Sequence, residues 1–151
     1  MIYIGADHRG YKLKEHLKKF LANESRAVTD LGAKKYDKKD DYLDPAKAVA
    51  QKVSKNAERD LGILICRSAQ GVCIVANKFK NVRAALVWNT GEAKLSRNDD
   101  MSNVICLPSD YVSPRIAEHI VETWLETPYS EALRHVRRIK KVSDLERRSL
   151  Q

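Results

Sequence analysis

Several absences narrow this sequence. The longest apolar runs, such as Leu61–Cys66, fall far short of the roughly 20 residues that a helix needs to cross a bilayer. Met1-Ile2-Tyr3-Ile4-Gly5 has no cationic stretch before its apolar residues, so it reads as a first strand and not as a signal peptide. Cysteine is scarce and odd in number: Cys66, Cys73 and Cys106 lie in or beside predicted strands. That argues against a disulfide framework and for a reducing, cytoplasmic setting. Glycine is scarce too, with six in the chain and no Gly/Ser-rich linker, so residues 1–151 read as one domain. Four histidines without paired metal-ligand spacing give metal catalysis little support. The formal net charge is +8, yet there is no basic run of six and no aromatic-interleaved basic motif. That balance suits an anionic small substrate and not nucleic acid.

What is present is an alternation. Short β-branched runs at Ile2–Gly5, Ala27–Leu31, Leu61–Cys66, Ala84–Val87 and Val104–Leu107 predict five strands. Leu61–Cys66 is apolar throughout, as a central parallel strand covered on both faces must be. Between the strands, Leu13, Leu17, Phe20 and Leu21 keep helical spacing, as do Ala46, Val49, Ala50 and Val53, and Ile116, Ile120, Val121 and Trp124. Asp44-Pro45, Ser113-Pro114 and Thr127-Pro128 each read as an N-cap followed by a first-turn proline. The alternation predicts an α/β fold with a parallel sheet and helices on both faces. A last helix, about residues 129–148, is basic and carries Leu133, Val136, Ile139, Val142 and Leu145. It reaches beyond the last strand and needs a second surface, such as a partner subunit, to cover them.

In such sheets, ligands bind at the C-terminal strand ends. Strand one runs into Gly5-Ala6-Asp7-His8-Arg9-Gly10, where Asp7 reads either as an N-cap or as the orienting partner of a histidine or sugar hydroxyl. Strand three ends at Cys66 and runs into Arg67-Ser68-Ala69-Gln70-Gly71. A thiol there is either an inert core residue or a thiolate favoured by the start of the next helix. Only one glycine remains in that loop, so it is neither a Walker motif nor a dinucleotide fingerprint. Arg134 and Arg138 share a helix face four residues apart, as a phosphate clamp or as a solvated basic face.

Together, Gly5–Gly10, Asp41-Tyr42, Gly62–Cys66, Ala76-Asn77-Lys78, Val82–Ala85, Leu95-Ser96-Arg97, Asn103-Val104 and Arg134-His135 with Arg138 resemble the ribose-5-phosphate isomerase B family, which includes the galactose-6-phosphate isomerase subunits. The likeness runs in order from residue 1 to about 140. It implies a Rossmann-like three-layer α/β/α sandwich with a five-stranded parallel sheet. It implies a homodimer or tetramer with sites shared across the dimer. It also implies metal-free, cofactor-free aldose–ketose isomerisation of a phosphorylated sugar through a cis-enediol. Ribose 5-phosphate and ribulose 5-phosphate are the expected pair. By position, the resemblance makes Cys66 the base and Ser68 an aid to ring opening. Asp7, His8 and Tyr42 become sugar or phosphate contacts, the loop amides of Arg67, Ala69, Gln70 and Gly71 stabilise the enediolate, and Arg134 and Arg138 clamp the phosphate.

The chain also departs from that family inside the site. Arg67 and Ala69 stand where the usual loop has glycine, and Asp99-Asp100 replaces a His-Asn pair before strand five. Leu107-Pro108-Ser109-Asp110 lacks the usual glycine pair. One expectation is compensation, with Arg67 pairing Asp99 or Asp100 and Asp99 opening the ring as base. The alternatives are another aldose phosphate as substrate, or a sugar-phosphate-binding subunit without catalysis of its own.

Overall fold

The structure is a computed structural model and describes residues 1–149, so the last two residues of the expected domain lie outside the described residues. Five strands form one sheet: β1 (Ile2–Ala6), β2 (Val28–Asp30), β3 (Leu61–Cys66), β4 (Ala84–Leu86) and β5 (Val104–Pro108). All pairings are parallel, in the order β2-β1-β3-β5-β4. Six helices connect or follow them: α1 (Tyr11–Asn23), α2 (Leu43–Lys55), α3 (Gln70–Ala76), α4 (Thr90–Asn98), α5 (Pro114–Glu126) and α6 (Leu133–Ser149).

The pleat of β3 sorts its side chains into two cores. Ile63 and Ile65 join Leu13, Leu17 and Leu21 of α1 and Ile120, Val121 and Trp124 of α5 on one face. Leu64 and Cys66 join Val49 and Val53 of α2 and Val72 of α3 on the other. With apolar residues on both faces, β3 is covered twice and sits centrally, as its unbroken apolar run predicts. Each buried Leu or Ile contributes about 1.5–3 kcal/mol. Gly62 makes this layer possible, because a Cβ there would come within 2.8 Å of Val49 and 2.9 Å of Val104.

Two helix starts differ from expectation. Residue Asp44 lies inside α2, which begins at Leu43, two residues earlier than the Asp-Pro pair suggests, with the Leu43 amide held by the Asp41 carboxylate at 2.9 Å. Thr127-Pro128 ends α5 and does not begin α6. The proline forces the preceding residue out of the helical region, and Thr127 sits at φ −76°, ψ 121°. The last helix therefore begins at Leu133 and not near 129. Ser113 does cap α5, its Oγ accepting from the Ile116 amide at 3.3 Å.

Candidate active site

The chain leaves β1 toward β2 on one side and enters β3 on the other, so the ends of β1 and β3 flank a topological switch point, where open α/β sheets bind ligands. Asp7 follows β1 and Cys66 ends β3. The Cys66 thiol donates to Asp7 Oδ2 at 3.1 Å, and Asp7 Oδ1 accepts from the Gly10 amide at 3.0 Å. Asp7 thus closes the turn before α1 and holds the thiol; it is neither the N-cap, which is Gly10, nor the partner of His8, which pairs with Asp40. Gly10 permits this approach: a Cβ there would lie 2.6 Å from the Ile65 carbonyl oxygen.

The electrostatics run against the expected thiolate. Burial pushes the Cys66 thiol up to about 11, and the Asp7 carboxylate pushes the same way. The amides of Arg67 and Ala69 face the sulfur and pull down, but they do not win. The following helix is seven residues long and begins after Ala69, held in the left-handed region at φ 59°. That conformation costs an alanine roughly 1–2 kcal/mol, as expected where a glycine is missing.

The Arg67 side chain, unlike its amide, is turned to another partner. Its Nε donates to Asp110 Oδ2 at 3.0 Å, and its side chain is 68% exposed. The expected pairing of Arg67 with Asp99 or Asp100 is therefore replaced by a pair with Asp110, which Arg9 also approaches at 3.4 Å. Two departures in the loops after β3 and β5 meet each other. Adjacent strand ends bring them together, with Cys66 in register with Pro108.

Other residues at this edge take defined places. His8 Nδ1 lies 2.6 Å from Asp40 Oδ1, and the same oxygen accepts the His8 amide at 2.9 Å. The Tyr42 ring lies over Gly71, where a Cβ would meet it at 2.7 Å. Ser68 and Gln70 are exposed and line a cavity of about 500 Å³ with Leu86, Trp88, Pro108 and Tyr111. Asp40, Asp110, Trp88 and Tyr111 carry no role that the sequence alone assigns. Asp40 belongs to a run of mixed charges, Asp37-Lys38-Lys39-Asp40-Asp41, which offers no signal to single one out.

The remaining expected residues lie elsewhere. Asp99 follows α4 and Asp100 precedes β5, at the N-terminal edge of the sheet. The five residues of β5 separate that edge from Cys66 by roughly 13 Å. The 128–130 loop is tied there too, with the Ser130 amide donating to the Asn98 carbonyl at 2.9 Å. Arg134 and Arg138 follow on α6, both exposed. Within one chain the structure thus brings together Asp7, His8, Tyr42, Cys66 and the 67–71 loop, and separates them from Asp99, Asp100, Arg134 and Arg138. Among the described residues no group of three His, Cys, Asp or Glu could hold a metal ion, and no helix is long and apolar enough to cross a membrane.

Comparison with known proteins decides the family: the Ribose/Galactose Isomerase profile matches residues 2–142. The chain belongs to that family. Its relatives include a probable ribose-5-phosphate isomerase B of Mycoplasma genitalium, 45% identical over 93% of this chain and 92% of the relative. A ribose-5-phosphate isomerase B of Mycobacterium tuberculosis is 36% identical over 97% of this chain and 90% of the relative. Among solved structures, the Mycoplasma genitalium ribose-5-phosphate isomerase B with bound ribulose 5-phosphate superposes with a TM-score of 0.93 at 44% identity, covering 97% of this chain and 95% of that one. The Clostridium thermocellum ribose-5-phosphate isomerase B gives 0.91 at 36% identity, covering 97% of each chain. Members of the Ribose/Galactose Isomerase family thus share this chain's sheet, its helices and nearly its whole length.

Proposed function

We propose that this chain is an aldose–ketose isomerase that interconverts ribose 5-phosphate and ribulose 5-phosphate, with Cys66 as the base. Family membership supports the reaction, and the observation that carries the site is the Cys66–Asp7 contact of 3.1 Å at the switch point. The resting pair is a thiol and a carboxylate. The thiol proton passes to Asp7, its nearest acceptor, and the thiolate then takes the proton from C2 of the open aldose. The electron pair forms the C1–C2 double bond as the carbonyl pair moves onto O1, giving an enediolate. A proton passes from O2 to O1, the sulfur delivers its proton to C1 as the O2 pair forms the new carbonyl, and the proton held by Asp7 returns to the sulfur. A base at this position is worth about 10²–10⁴-fold.

Binding and ring opening need the other residues. His8, oriented by Asp40, and Tyr42 are suited to sugar or phosphate oxygens, and Ser68 lines the cavity beside Trp88 and Tyr111. Arg134 and Arg138 clamp the phosphate and Asp99 assists ring opening, with Asp100 beside it. These four sit at the opposite sheet edge, so they serve the site of a second copy. The exposed apolar face of α6, with Leu133 at 86% exposure and Leu145 at 64%, supports such a pairing.

A coupled assay for ribulose 5-phosphate tests the reading. Cys66→Ala should lower kcat by at least about 10²-fold, while Cys73→Ala and Cys106→Ala leave turnover largely alone. Full turnover by Cys66→Ala overturns the assignment of the base. No turnover by the parent on any phosphorylated aldose overturns the activity.

A further inference from the structure

Arg134 is exposed, and a free guanidinium loses rotamer freedom when it grips an anion. Here part of that freedom is already gone. Arg134 Nε donates to Nε2 of the neighbouring His135 at 3.1 Å. A guanidinium can only donate, so Nε2 must present its lone pair, and the ring proton belongs on Nδ1. His135 is 7% exposed, and its Nδ1 is buried with no hydrogen-bond partner among the described residues. What it faces is a carboxylate: Asp99 Oδ1 lies 3.5 Å away. The negative charge of that carboxylate, close but not hydrogen-bonded, favours the tautomer with its proton on Nδ1, which leaves Nε2 free to accept.

The three residues come from two elements. Asp99 caps the C-terminus of α4, and Arg134 and His135 stand in the first turn of α6. The loop between α5 and α6 fixes their distance, since the Asn98 amide side chain donates to the Pro128 carbonyl at 3.0 Å.

We propose that Asp99 and His135 form a relay that orients the Arg134 guanidinium toward a phosphate-bearing ligand, with His135 as a positioning residue. The proposal rests on the reading of Arg134 as a phosphate contact. Asp99 turns one oxygen toward His135, and its other oxygen stays available to a bound sugar. The relay explains why a histidine is buried beside an exposed arginine, where an apolar residue would fill the space without an orphaned N–H.

The test is a double-mutant cycle on the full chain, reading KM for ribose 5-phosphate, kcat and the inhibition constant of inorganic phosphate. His135→Ala should raise KM and the phosphate inhibition constant about tenfold, the loss of one charge-assisted contact, while kcat changes less. His135→Gln should recover much of the loss, because its amide oxygen accepts from the same direction. In an Arg134→Ala background, His135→Ala should add nothing. Should His135→Ala fail to fold, His135→Leu keeps the volume, cannot accept, and enters the same cycle. Multiplying effects in the double variant would show that His135 acts on its own and would overturn the relay. So would an unchanged KM in His135→Ala beside a raised KM in Arg134→Ala. If Arg134→Ala itself leaves KM and phosphate inhibition unmoved, the clamp reading fails first and the relay falls with it.

Discussion

The residue proposed as the base, Cys66, is also one whose environment opposes its charge. A buried sulfur beside a carboxylate keeps its proton, and two loop amides do not reverse that. Removing the carboxylate should therefore lower the thiol pKa from about 11. Alkylation by iodoacetamide proceeds through the thiolate, so its rate in the parent should keep rising through the alkaline range. In Asp7→Asn that rise should begin at lower pH, and alkylation near pH 8 should quicken while isomerase turnover falls. An unshifted profile would mean that burial alone sets the thiol. Arg67 belongs to the same scale. Its pair with Asp110 is solvent-exposed, so Arg67→Gly should change stability by less than about 1 kcal/mol in denaturant unfolding.

At the scale of elements, the site depends on how closely α1 and β3 approach. Gly10 opens α1 against the β3 backbone, where a methyl would stand 2.6 Å from a carbonyl oxygen. That neighbour is backbone and cannot rotate away. Gly10→Ala should cost about 2 kcal/mol or more in urea unfolding and should also loosen the Asp7–Cys66 contact, lowering kcat. A melting temperature equal to the parent's would show that α1 can slide without harm. The helix boundaries follow similarly local rules. Pro128 stops α5 through the residue before it, which explains why a Thr-Pro pair marks an ending here while Ser113-Pro114 marks a beginning.

At the scale of the molecule, the expected site is divided between two edges of one sheet. A symmetric dimer that sets one edge against the other would assemble two complete sites. The chain should then scatter light as a dimer or larger at micromolar concentration. A stricter check is mixing. Cys66→Ala and Arg138→Ala, each weak alone, should recover activity when unfolded and refolded together, because a mixed dimer holds one intact site. Random pairing would give roughly a quarter of the parent's activity. No recovery would place Cys66 and Arg138 in the same chain's site, or show that the arginine is not needed.

Much of this is legible in the order of the residues alone. Periodicity and the apolar β3 run determine the layered α/β fold, because one-sided helices and a two-sided strand admit few other packings. The strand-end rule singles out Asp7 and Cys66, since their place in the chain follows directly from where strands stop. What only the tertiary structure decides is partnership. Cys66 against Asp7, His8 against Asp40, Arg67 against Asp110 and Asp99 against His135 join residues 59, 32, 43 and 36 positions apart. Charge pairing depends on distances of a few ångströms, which the register of neighbouring strands and the path of loops set and composition does not. For the same reason the state of the Cys66 thiol lies outside the sequence: a helix start is visible there, but the depth of burial and the facing carboxylate are not.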